Sequence, residues 1–272
     1  MGYERNYIGL VEMVVNHGDI RPSRVGTTRS LFCQTLAISD LSWGFFPVLT
    51  TRQLYPKPVF GELAAFIRGA EDLSTFRGFG CNYWDANAAN WLMNRHVPQD
   101  QMRVGKIYGS KWRNFHGVDQ LEVLLDGLKS DKYSRRHILT TWDPSETDQC
   151  LPPCHLLTQF YVSHGTTLNA TVYMRSVDLL LGLPSDVILY STLLLLICKE
   201  LNMSPGRLNF QMGDCHVYEN HLDAWGNQNI NPIGELPLYS LSDSASLRDF
   251  LPSDIAIPNY DGHPRIHYAL NV

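Results

Sequence analysis

Apolar positions along the chain follow two different periods. Residues 4–17 place Tyr7, Leu10, Val11, Val14 and Val15 on one face, the recurrence of an amphipathic helix. Residues 118–129 repeat the pattern with Leu121, Val123, Leu124 and Leu128. Residues 60–68 predict another helix, with Glu62 in an otherwise largely apolar stretch. The centre of the chain changes character. HILTTW, HLLTQFYVS and TLNATVYMRS are rich in β-branched and aromatic residues, with Gly165 in the turn between the last two, and predict strands. Residues 187–198 form the most apolar run and hold Tyr190, Ser191 and Thr192. That run is too short to span a bilayer and predicts a buried helix. Pro184 opens it, at an early position where a missing N–H costs nothing. Residues 24–30, RVGTTRS, predict an exposed loop leading into the strand LFCQTLAI, and LNFQMGDCHVYENH predicts a strand that breaks at Gly213. Residues 88–106 are polar and irregular, the pattern of an insertion or small lid. No repeat or long linker divides the chain. The expectation is a single α+β domain over residues 1–272, its mixed or antiparallel sheet covered by helices.

Composition narrows this picture. With 272 residues, 44% hydrophobic and 18% charged, the chain can bury one sizeable core. A net charge of -5 gives no general attraction to nucleic acid, so an anionic ligand must be held by a few local arginines. The opening MGYERNYIGLVEMV is charged and lacks an apolar signal core, which predicts a cytoplasmic protein with no membrane partner. The six cysteines are scattered, as free thiols in a reducing compartment are. Cys150 and Cys154 have no His/Cys cluster to complete a metal site, so no metal is expected.

The segment LPPCHLLTQFYV carries the strongest chemical signal. Cys154 lies between Pro153 and His155 where a polar loop becomes a strand, and paired prolines fix the approach of the backbone. A nucleophilic thiolate needs nearby positive charge to lower its pKa, and Arg175 and His155 are the candidates. A lone cysteine is ordinarily an inert, buried small hydrophobe. Likewise SRR at 134–136 alone reads as a solvated surface pair, and Glu62 alone as a paired or partly exposed carboxylate.

The ordered set of motifs changes those readings. YGSKWR, SRRHI, LPPCH, YMRSVDLLLGLP, GDCHVYENH and NYDGHPRIHYALNV together resemble the thymidylate synthase family, from the Arg24 loop to the C-terminal tail. The resemblance implies an enzyme that transfers a one-carbon unit from 5,10-methylenetetrahydrofolate to C5 of a pyrimidine nucleotide after Cys154 adds to C6. It implies that Arg24, Arg175 and Ser176 hold the 5′-phosphate, with Arg135 and Arg136 reaching across from the second subunit of a homodimer built on a sheet face. Guanidinium forks suit phosphate. Glu62 would organise water and move protons, with a pKa raised by burial. His216 and Tyr218 would bind the sugar hydroxyl. Tyr108 would support the thiol, and Trp84 would flank the one-carbon unit. Asp178 would meet the pterin of the folate, with Leu151, Leu181 and Gly182 along the same wall. The tail ending at Val272 would close over the ligands and exclude water.

Four positions depart from the family pattern. Asp186 stands where the family has an Asn that reads the uracil edge, as in the phage deoxycytidylate hydroxymethylases, and Met174 precedes Arg175 where the family has Gln. A carboxylate lacks a donor for O4 of uracil, whereas cytosine offers a 4-amino donor and an N3 that can share a proton. Asp at the first turn of a helix also serves capping without any ligand. Ser185 replaces a Phe and Asn87 replaces a second Trp, both of which pack around folate in the family. A looser folate site favours water over hydride at the last step. The expected reaction is therefore hydroxymethylation of dCMP. The alternatives are a dCMP methyltransferase, a thymidylate synthase with an atypical base reader, or a noncatalytic nucleotide- or RNA-binding homologue.

Overall fold

The computed structural model describes residues 2–93, 102–146 and 149–271. A six-stranded sheet forms its centre, in the order β1 (Asp19–Ser23), β2 (Gly26–Ile38), β6 (Ser204–Tyr218), β5 (Thr167–Asp178), β4 (His155–Ser163), β3 (Ile138–Thr140). All neighbours are antiparallel except β5 and β6, which run parallel. A parallel pair needs a crossover, and helix α7 (Gly182–Leu201) supplies it. This is the mixed sheet of the expected α+β domain.

Helix α7 is enclosed on every side, with Leu183, Pro184 and all residues from Val187 to Cys198 buried. Apolar residues all round a helix demand such burial. It is longer than its most apolar run. By length and composition alone it could cross a membrane, yet 78% of its most apolar window lies inside the protein. It starts at Gly182, so Pro184 falls in the first turn, where no intrahelical N–H bond is lost. Helix α1 (Tyr3–His17) packs on β2 and β6, while α2 (Pro56–Ile67) packs on α7 and on α5 (Tyr108–Arg113). Helix α6 (Gln120–Ser130) buries Leu121, Leu124, Leu125 and Leu128. The predicted apolar residue Val123 points to solvent instead, because its position falls off that stripe.

All these helices lie on one face of the sheet. The other face carries the outward positions of β4 and β5, among them Gln159, Tyr161, Thr171 and Tyr173, and Tyr161 is 62% exposed in the single chain.

Three sequence expectations change. The 24–30 loop is a hairpin: strands β1 and β2 pair from Asp19–Ser30 to Ser23–Gly26, leaving only Arg24 and Val25 at the tip. Residues 26–30 begin β2, which pairs with β1 on one side and β6 on the other and buries Thr28 and Ser30 despite its polar composition. Strand β6 runs through Gly213 without breaking. A Cβ there would lie 3.0 Å from the Arg175 carbonyl oxygen, so this glycine permits close approach of β5. In the 88–106 segment, Ala88 to Leu92 belong to helix α4 (Asp85–Leu92), and Arg103 and Gly105 form bridges to Asp72 and Gln149. Residues 94–101 of that segment lie outside the described residues.

Candidate active site

The first turn of α7, the starts of β4 and the end of β5, the β1–β2 tip, α2, α4 and the C-terminal tail surround one cavity of about 1460 Å³. Single-ligand pockets run to roughly 300–1,000 Å³, so this one has room for two ligands.

Cys154 lies on its wall, one residue before β4. Its backbone N–H donates to the Tyr108 hydroxyl at 2.8 Å, and its carbonyl accepts from the Arg175 N–H at 2.8 Å. The Arg175 guanidinium is fixed by the two prolines: Nε donates to Pro153 O and Nη2 to Pro152 O, both at 2.8 Å. That anchoring brings Nη2 to 3.9 Å from the Cys154 Sγ. The LPPC sequence thus positions the arginine as well as the thiol. Burial nevertheless raises the Cys154 pKa, against the opposing pull of Arg175 and with a further push from Asp186. The thiol is the resting form.

His155 is not the expected cation. Burial pushes its pKa down to about 3, so the ring is neutral. It stacks on Tyr108 with ring centroids 4.0 Å apart, its Nδ1 lies 2.8 Å from the Tyr190 hydroxyl, and its Nε2 lies 3.5 Å from Asp186 Oδ1. Asp186 itself is held well above the usual carboxylate range, first by burial and then by the charges of Glu62 and Asp178. Burial thus favours the protonated form of Asp186, the form in which a carboxyl has a donor. Glu62 is similar. Desolvation by apolar α2 raises it to about 7, against the Trp84 indole N–H that donates to Oε1 at 2.7 Å. Trp84 is thus a buried support behind Glu62.

The remaining expected residues divide cleanly. Arg24, Ser176, Tyr218, His216, Asp178, Leu151, Leu181, Gly182, Ser185 and Asn87 all border the cavity. Asp178 Oδ1 also accepts from the N–H groups of Leu180 and Leu181 at 3.0 and 3.1 Å, which shapes the turn into α7. His216 Nδ1 lies 3.0 Å from Asp214 Oδ1, and Asp214 pairs with Arg21 at 3.2 Å. Arg135 and Arg136 are exposed ahead of β3 and do not border this chain's cavity. Tail residues Arg265 to Tyr268, Leu270 and Asn271 border it, and Val272 lies outside the described residues.

Several cavity residues were not singled out in the sequence. Arg52 borders the cavity, donates to the Leu180 carbonyl and lies 4.6 Å from the Tyr268 ring centre. Trp91 borders it one helical turn beyond Asn87, with the Arg103 guanidinium 5.9 Å from its ring centre. The i, i+4 spacing on α4 was a usable signal for Trp91. An aromatic surface is therefore retained near the position where Asn87 was expected to loosen the wall. Tyr190, one turn beyond Asp186 on α7, lies behind the cavity wall, where its hydroxyl meets His155.

The thymidylate synthase family model matches residues 5–272. Thymidylate synthase of Saccharomyces cerevisiae is 32% identical over 297 residues, covering 99% of this chain and 97% of that one. Thymidylate synthase of Mycoplasma pneumoniae is 34% identical over 283 residues, covering 96% and 98%. That of Malacoplasma penetrans is 31% identical over 283 residues, with the same coverage. On this full-length match and the site it encloses, the chain belongs to the thymidylate synthase family.

Proposed function

We propose that the chain is a folate-dependent C5 one-carbon transferase acting on dCMP, with hydroxymethyl-dCMP as product. The observation that carries the base assignment is the position of Asp186 on the cavity wall that also holds Cys154, where burial pushes its carboxyl pKa up. A neutral carboxyl presents one donor and one acceptor, which match N3 and the 4-amino group of cytosine. As Cys154 sulfur bonds to C6, the ring electron pair moves toward N3. Asp186 supplies the proton there, while the thiol proton leaves into the cavity. This makes C5 nucleophilic. Arg175, Ser176 and Arg24 face the phosphate, and His216 and Tyr218 the sugar. Glu62, with its pKa near 7, is suited to take the C5 proton at neutral pH.

The second ligand fits the cavity by volume and lining. Asp178, Leu151, Leu181 and Gly182 would hold 5,10-methylenetetrahydrofolate, which supplies a carbon at the oxidation level of formaldehyde when bound. Ser185 and Asn87 are smaller or more polar than family aromatics, which supports water rather than hydride as the last reactant. Trp91 on the same wall supports the opposite outcome, a methyl product. The exposed sheet face with Tyr161 and Tyr173 fits a second copy, and Arg135 and Arg136 are free of this chain's own cavity, as cross-subunit phosphate ligands would be.

A second reading has its own support. A neutral carboxyl can also donate to O4 and accept from N3–H of uracil, and the relatives above are named thymidylate synthases. Turnover of dCMP, CMP and dUMP with methylenetetrahydrofolate, followed by product mass, separates these. The expected result is hydroxymethyl-dCMP without dihydrofolate absorbance; turnover of dUMP alone removes the Asp186 argument. Asp186→Asn should move the preference from dCMP to dUMP, and Cys154→Ser should abolish tritium release from C5 in either substrate.

A further inference from the structure

Beyond the base reader itself lies a second layer of buried groups whose hydrogen bonds bear on it. Tyr190 sits one turn after Asp186 on α7 and is buried, as are His155 and Thr158 on β4. The Tyr190 hydroxyl is 2.8 Å from His155 Nδ1, its one hydrogen bond among the described residues. A buried phenol O–H must find an acceptor, and Nδ1 is the one within reach. His155 Nε2 then carries the ring proton. That N–H faces Asp186 Oδ1 at 3.5 Å, a dipolar contact rather than a formed hydrogen bond. Tyr108, stacked on the ring at 4.0 Å, holds its plane. The other ionisable groups acting on Asp186, Glu62 and Asp178, carry no ring proton and favour neither oxygen through hydrogen bonding.

We propose that Tyr190 is a specificity-determining positioning residue: acting through His155, it makes Oδ1 of Asp186 the acceptor and Oδ2 the donor. The order of donor and acceptor decides which base fits. A base anchored by its phosphate and by Cys154 at C6 presents N3 and its position-4 group in fixed places. Cytosine needs the hydroxyl oxygen beside N3 and the carbonyl oxygen beside N4, and uracil needs the reverse. A carboxyl free to swap its proton accepts both, whereas one with a fixed proton refuses one of them. This inference rests on Asp186 reading the base, as proposed above.

The test compares kcat/KM for dCMP and dUMP in the full-length wild type and in Tyr190→Phe. The variant keeps the ring and loses only the hydroxyl. The ratio of dCMP to dUMP turnover should fall about tenfold, with dUMP use unchanged or raised and KM for methylenetetrahydrofolate unaltered. Chemical shifts of isotope-labelled histidine nitrogens should show His155 protonated at Nε2 in the wild type and mixed in the variant. An equal loss on both nucleotides, an unchanged ratio, or a wild-type His155 protonated at Nδ1 overturns the proposal while leaving the Asp186 reading intact. A wild type that prefers dUMP removes that reading first, and this one with it.

Discussion

Glu62 shows how one side chain acquires its chemistry from its surroundings. On α2 it is flanked by Gly61, Leu63, Ala64 and Ala65, all buried, and among the described residues its carboxyl meets only the Trp84 N–H as a hydrogen-bond donor. Desolvation wins over that single bond and raises the pKa from 4.5 to about 7. Between about pH 4.5 and 7 the folded protein holds a proton that the unfolded chain has lost. Stability attributable to Glu62 is thus full below about pH 4.5 and declines as pH rises to about 7. Glu62→Gln should stabilise the protein at pH 8 and leave it unchanged at pH 4, as thermal melts at the two values would show. The same variant should remove an inflection near pH 7 from the rate of C5 tritium release. An inflection that survives the substitution assigns that proton to another group.

Elements meet in this fold through glycines as much as through apolar side chains. Helices α2 and α5 approach so closely that a Cβ on Gly109 would lie 2.2 Å from the Phe66 Cα and carbonyl oxygen. These are backbone atoms, so the contact cannot be relieved by a rotamer change. The neighbour of Gly109 is Tyr108, whose hydroxyl receives the Cys154 N–H. Gly109→Ala should therefore cost about 3 kcal/mol or more, and chemical denaturation should show it as a lower midpoint at similar slope. The surviving folded fraction should also lose thiol reactivity at Cys154. A variant with wild-type stability would show that α5 can move away without penalty. A different joint secures the N-terminal helix. Buried Glu4 on α1 accepts from the N–H and hydroxyl groups of both Thr50 and Thr51, at 2.5–2.9 Å. Arg52, which borders the cavity, follows directly. Glu4→Ala leaves those donors unsatisfied and should cost about 2–4 kcal/mol in urea unfolding. A loss under about 0.5 kcal/mol would mean that water replaces the carboxylate.

At the scale of the molecule, the outward sheet face and the two exposed arginines raise the question of assembly. If a second copy covers that face, Arg135 and Arg136 of each chain serve the other chain's phosphate site. Mixing inactive Cys154→Ser chains with inactive Arg136→Ala chains should then restore activity, because one site of the heterodimer recovers both groups. Up to about a quarter of wild-type activity is expected from random pairing, since half the dimers are mixed and each of those has one intact site of two. No recovery, with dimers verified by sedimentation, would place the arginines outside the site.

Much of this protein was legible before folding was considered. The 3.6-residue recurrence located α1 and α6, because burial on one face imposes that repeat, while an unbroken apolar run located α7 and β-branched and aromatic runs located β4 and β5. The motif order placed Cys154, Arg175, Asp178, Asp186 and His216 around one site, since backbone-fixed groups such as LPPC keep their neighbours at constant spacing. What the sequence could not decide were quantities set by long-range contact. The strand through Gly213 depended on how close Arg175 comes, and the tip at Arg24 on pairing with β2. The protonation of His155, Asp186 and Cys154 depended on desolvation by segments far away in the chain. Charge is a property of the packed environment, and only the tertiary structure supplies that environment.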